Sequence, residues 1–211
     1  MTFKQNLADL YFILPYISSI NNKVSLSLSL LIGSSTFKVK IHNEVIKFDK
    51  SRFATFYYLL GCLTYALSYS LDSTKILKIS FDENSKFEIP LQTLSLENSN
   101  LIELLYYGNK YGANFITNDI FKNSIREQTF KISSSNNRKI ITTSNGINFF
   151  LDSIHPGNTI FETFIKKIHL INSTINWNDK IVVDVGAECG DTPLYYASMG
   201  AKVFASEALK K

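Results

Sequence analysis

One stretch constrains this chain more than any other: residues 180–207, KIVVDVGAECGDTPLYYASMGAKVFASE. Ile181–Val185 is a β-branched apolar run, too short for a helix and long enough for a fully buried parallel strand. It stops at Gly186-Ala187-Glu188-Cys189-Gly190, where two glycines allow a sharp turn and a close approach of backbone to a ligand. Asp191-Thr192-Pro193 then starts a helix, a capping side chain with proline in the first turn. Residues 194–199 continue it, Gly200 fits its C-terminal cap, and Lys202–Ser206 reads as a second strand ending at Glu207. The product is one β-α-β unit, and its ligand crevice is expected past the carboxyl ends of the strands.

The charge of the loop narrows the ligand. A dinucleotide loop, G-x-G-x-x-G, needs bare backbone at its middle glycine to reach a pyrophosphate, and Glu188 stands at that position. No lysine-hydroxyl pair follows Gly190, so a P-loop is excluded as well. S-adenosyl-L-methionine suits the loop better, because it carries an ammonium, a carboxylate and an uncharged ribose diol. Glu188 would accept from the ammonium or lie beside it, amides at the helix start would face the carboxylate, and Glu207 would accept from the ribose hydroxyls.

These residues resemble motif I and the following acidic strand end of class I S-adenosylmethionine-dependent methyltransferases. The D-V-G-A-x-x-G-D-T wording is most similar to the FkbM family. Residues 152–169, DSIHPGNTIFETFIKKIH, resemble the lead-in helix of archaeal FkbM-type members. The resemblance implies that Asp184, Gly186, Ala187, Glu188, Gly190 and Glu207 line the cofactor site, with Asp191 beside them at the helix start. It also implies in-line transfer of the sulfonium methyl to a hydroxyl of a sugar or small metabolite, so the expected partner is a small-molecule or glycan acceptor. The family's sheet has more parallel strands than the two read here, and the sequence runs only four residues past Glu207. The expectation is a truncated cofactor-binding portion without its catalytic residues, its sheet completed by a second chain. The alternatives are a catalytically inactive binding or interaction module and a dinucleotide-binding protein.

The expected fold class is α/β. An N-terminal α+β domain covers residues 1–137, and residues 138–211 begin an incomplete Rossmann-like methyltransferase sheet. Apolar content of 45% and a mean hydropathy of +0.02 describe a globular chain rather than a disordered one. The net charge of +4 is spread without an arginine-rich stripe, which argues against nucleic acid. Cys62 and Cys189 have no metal-ligand spacing and fit a reducing, cytoplasmic setting without a metal site. Cys189 reads as a small loop residue rather than a nucleophile. The apolar residues 7–20 contain Asp9 and Pro15 and lack a cleavage site, which argues against a signal peptide.

Upstream, 23–30 (KVSLSLSL) alternates like a strand, and 37–41 with 45–48 reads as a hairpin. Residues 53–71 have the length of a membrane span, but Phe53, Phe56, Leu60, Leu63 and Leu67 form one stripe, so an amphipathic helix on a core is expected. A second hairpin joins 75–81 to 86–89, and a helix begins at Ser95-Leu96-Glu97-Asn98 and stops at Gly108. Residues 115–130 are mixed and polar, and 133–137 read as a surface loop. Asn145-Gly146 turns a third hairpin, 139–143 with 147–151. Thr159-Ile160-Phe161-Glu162 forms a capping box, with Phe161, Phe164, Ile165 and Ile168 on one helix face. Either Glu162 is the partner of that cap or, as the family resemblance implies for this helix, it or Thr163 touches the methyl donor. His155 and His169 read as surface or packing residues.

Overall fold

The computed structural model describes residues 3–117, 129–168 and 175–208. Among these the composition is mixed α/β, with several helices and several small sheets. The chain divides into two compact units, Met1–Asn109 and Lys110–Lys211. The boundary expected after residue 137 falls instead on a hairpin turn. There β7 (Thr129–Ser135) pairs antiparallel with β8 (Arg138–Thr142), and the intervening Asn136 and Asn137 both take positive φ. Ser133, Ser134 and Ser135, read as loop, are therefore strand residues. Two asparagines that tolerate the left-handed region make a tight connection out of a polar run.

The first unit opens with helix α1 (Phe3–Ile13), a 3-10 turn (Leu14–Ser19) and helix α2 (Lys23–Leu31). The strand expected at 23–30 is thus a helix. Its alternating leucines serve a helical period instead, with Leu26 and Leu30 buried four residues apart while Val24 and Leu28 face solvent. The first hairpin forms as read, β1 (Thr36–Ile41) with β2 (Glu44–Asp49), and buries Phe37 opposite Phe48 and Val39 opposite Ile46.

Helix α3 (Phe53–Tyr65) is shorter than expected. Leu67 leaves the buried stripe at 77% exposure, and Ser68–Leu71 becomes β3, paired with β4 (Ile76–Ser80). Alternating Ser-Tyr-Ser-Leu residues bury one side against a neighbouring strand, which a longer helix could not do. β5 (Lys86–Pro90) completes that three-stranded sheet. Helix α4 (Leu96–Tyr111) starts with Ser95 Oγ accepting the Asn98 amide at 3.2 Å, and it continues past the expected stop because Gly108 is buried within it. No helix among the described residues is long and apolar enough to cross a membrane.

In the second unit, β6 (Asn114–Ile116), β7, β8 and β9 (Asn148–Phe150) form a sheet in that order, with β6 and β7 parallel. Part of the region read as mixed and polar, residues 118–128, lies outside the described residues, as does His169. The third hairpin forms as read, with Gly146 at φ 79° and its amide bonded to the Thr143 carbonyl. A π-helix (Gly157–Lys166) follows, and then β10 (Ile181–Val185), α5 (Asp191–Ser198) and β11 (Lys202–Ser206). β10 and β11 pair in parallel, Ile181 against Lys202 through Val185 against Ser206, with α5 as the crossover.

The expectation of a fully buried β10 does not hold among the described residues. Ile181 and Val183 are each 69% exposed, Val185 81% and, on β11, Phe204 63%. The physical reason is coverage: Val182 and Asp184 are half-buried while the alternate residues face outward. Parallel strands are ordinarily covered on both faces. Here one face is bare among the described residues.

Candidate functional site

The loop between β10 and α5 is set by three left-handed residues, Gly186 at φ 84°, Glu188 at φ 48° and Gly190 at φ 81°. A Cβ on either glycine would meet nothing within 4 Å, so conformation rather than space selects glycine there. Glu188 bears the same strain with a side chain. The loop is anchored to the end of β11: the Gly186 and Ala187 amides both donate to the Ser206 carbonyl, at 2.8 and 3.1 Å. The Glu188 amide donates to Glu207 Oε2 at 2.8 Å, and the Gly190 amide donates to the Ala187 carbonyl at 2.7 Å. The loop amides of Gly186, Ala187, Glu188 and Gly190 are thus occupied by the protein, which leaves the amides at the start of α5 as the ones the expectation concerns. Glu207, expected to accept from ribose hydroxyls, accepts a loop amide and so fastens the loop.

Past the carboxyl end of β10 lies a cleft of about 270 Å³, lined by Asn158, Glu162, Asp184, Gly186, Ala187, Glu188, Asp191 and Thr192. Five of the seven residues proposed from sequence line it directly. Gly190 shapes the loop behind it, and Glu207 reaches it through the Glu188 amide. Four acidic residues line the cleft, Glu162, Asp184, Glu188 and Asp191, so its field favours a cation over phosphate. Among the described residues no group of three or more metal-ligating side chains comes together.

The π-helix is tied to this loop by hydroxyl contacts. Thr159 Oγ1 lies 3.2 Å from Cys189 Sγ, and the Thr163 hydroxyl donates to Asp191 Oδ2 at 2.5 Å. The Cys189 thiol donates to Asp191 Oδ1 at 3.4 Å. The capping box read at Thr159 therefore does not form. The helix begins earlier, after Pro156, and Thr159 bonds to the loop instead of capping its own helix. Asp191 is the first residue of α5 rather than its cap, a position held by Gly190, and both its oxygens are engaged. Burial pushes the Cys189 thiol upward, opposed by the Thr159 hydrogen bond and aided by the Asp191 charge, which favours its protonated form. Burial likewise raises the Tyr196 hydroxyl, with the Asp184 charge as a second cause.

Packing fixes the same arrangement from behind. Phe164 of the π-helix contacts Phe149 of β9 and Tyr195 of α5, at ring separations of 5.7 and 5.4 Å. Ile160, Phe164 and Ile165 are buried while Ile168, expected on their face, is 55% exposed. His155 is exposed as read, yet its Nε2 lies 3.7 Å from Glu188 Oε1. Asn158 and Thr192 were not singled out in the sequence as site residues. The available signals were the one-turn spacing of Asn158 to Glu162 and the place of Thr192 in the first turn after the loop.

Comparisons with protein-family models, with curated proteins and with solved structures find no match. The class of site is accordingly defined by its geometry: an acidic cleft past the first strand of a parallel β-α-β unit, closed on one side by a π-helix.

Proposed function

We propose that this chain carries the cofactor-binding portion of an S-adenosylmethionine-dependent methyltransferase of FkbM type, acting on a hydroxyl of a sugar or small metabolite. One observation carries the reading. Asp184, Gly186, Ala187 and Glu188 converge on one cleft, and Glu207 holds the Glu188 amide from the end of the next strand. The residues fit the group: carboxylates from two sides of the cleft attract an ammonium and a sulfonium, and they repel the pyrophosphate of a dinucleotide. When bound, the cofactor supplies an activated methyl group. The chain's own residues bind and orient it, and such positioning is a large part of what methyl transfer demands.

Isothermal titration calorimetry of the 211-residue chain tests the reading. Saturable heat with S-adenosylmethionine and S-adenosylhomocysteine, with none from NADH, is the expected result. Tight NADH binding with no response to either adenosyl ligand would overturn it.

A second reading is that the chain works by pairing with another polypeptide, with or without cofactor. It is favoured by the exposed Ile181, Val183, Val185 and Phe204. Sedimentation equilibrium over a hundredfold range of concentration tests the simplest case, pairing between copies; a monomer throughout counts against it.

A further inference from the structure

The π-helix contributes residues to the cleft that no part of the glycine-loop motif contains. Asn158 and Glu162 both line the cleft, while their immediate neighbours Thr159 and Thr163 bond to Cys189 and Asp191. Residues four apart stay close to one face in this wide helix, so two parallel rows result. One row is fastened to the loop. The other faces the cleft.

The carboxylates there are not equivalent. Asp191 has both oxygens committed to Thr163 and Cys189, and Glu188 faces His155. The carboxylates of Glu162 and Asp184 make no hydrogen bond or ion pair to any of the described residues. One comes from the π-helix and the other from the end of β10, on either side of a cleft of about 270 Å³. Two such groups call for a cationic partner with several N–H donors, which an ammonium provides. Asn158 adds a carboxamide that can both donate and accept, matching a group in which ammonium and carboxylate sit on one carbon.

Resting on the reading above, we propose that Glu162 and Asn158 form the subsite for the α-amino-acid end of the ligand, with Glu162 as the partner of its ammonium. The glycine loop then shapes the cleft, and the π-helix selects ligands that carry the amino-acid tail.

Calorimetric titrations of the unchanged chain, Glu162→Gln and Asn158→Ala with two probes test this. S-adenosylhomocysteine carries the ammonium and carboxylate, and methylthioadenosine carries neither. The readout is the ratio of the two affinities, which a general loss of structure would not alter selectively. Glu162→Gln is expected to weaken S-adenosylhomocysteine by about tenfold or more while leaving methylthioadenosine within about twofold, as removal of one charge-assisted hydrogen bond predicts. Asn158→Ala should compress the ratio in the same direction by a smaller factor. An unchanged ratio in both variants, or an equal loss for both probes, would overturn the proposal and leave the cofactor reading in place. Failure of the unchanged chain to bind either probe would remove the cofactor reading, and this subsite with it.

Discussion

Two sheets in this molecule take opposite positions on burial. In the first unit, Leu77 and Ile89 of the β3-β4-β5 sheet are buried. In the second, the apolar residues of β10 that point away from the half-buried side stand in solvent. The two sheets are built from similarly apolar strands. The difference teaches that β-branched composition fixes the tendency to form a strand, while coverage by other elements decides whether the strand stabilises the fold.

Matched truncations should expose this difference most clearly. Leu77→Ala removes a fully buried side chain and should cost about 2–5 kcal/mol in urea denaturation. Val183→Ala should stay within about 0.5 kcal/mol, as for an exposed site. A Val183 cost near that of Leu77 would mean that the bare face is covered in solution.

Gly61→Ala sharpens the same contrast from inside α3. A Cβ at Gly61 would lie 2.3 Å from Cδ2 of the buried Tyr106, whose hydroxyl contacts those of Tyr57 and Tyr16 at 2.7 and 3.1 Å. Glycine to alanine ordinarily favours a helix by about 1 kcal/mol. Here overpacking should reverse the sign and destabilise by about 1–3 kcal/mol, read from the denaturation midpoint.

The two cysteines report on the two units separately. Burial pushes the Cys62 thiol far above its ordinary range, and its Sγ contacts the Ile102 carbonyl at 3.3 Å. Burial also shifts the Cys189 thiol upward, but that residue is only half-buried. Alkylation near pH 8 should modify Cys189 before Cys62, both more slowly than a free thiol, with Cys62 reacting only as the first unit opens. Mass spectrometry of timed samples checks the order; simultaneous modification would mean that both units open together.

The loop latch should give a smaller change. Glu207→Gln weakens the acceptor for the Glu188 amide, and hydrogen exchange at that amide should quicken by about tenfold at most. The smallest effect is expected at Asp152. Hydrogen bonds from Arg138 hold its carboxyl below the usual carboxylate range. Its contribution is present above the unfolded-state value and is lost as pH falls through the lower folded value. Arg138→Gln should flatten this acid-side dependence of the melting temperature, and salt should do so in part because the pair is exposed.

Much of the candidate site was legible in the sequence because its determinants are local. Gly186 and Gly190 sit where the backbone is left-handed, and Asp184, Ala187, Glu188 and Asp191 follow them into the cleft through chain connectivity. Hairpins with short polar turns were legible for the same reason. Other features were not. The leucines of α2 satisfy a strand period and a helical one, and only packing of Leu26 and Leu30 selects the helix. Thr159 looked like a cap because a cap is a local pattern, whereas its partner Cys189 lies thirty residues away.

By itself the sequence determined the strand–loop–helix–strand order, the left-handed turns and the acidic character of the loop, since each depends on residues close in the chain. Only the tertiary structure decided that the π-helix brings Asn158 and Glu162 to that loop, that Glu207 latches it, and that one face of β10 stands bare among the described residues. Those outcomes depend on pairings between distant segments, and their free energy comes from burial and hydrogen bonds that no local spacing encodes.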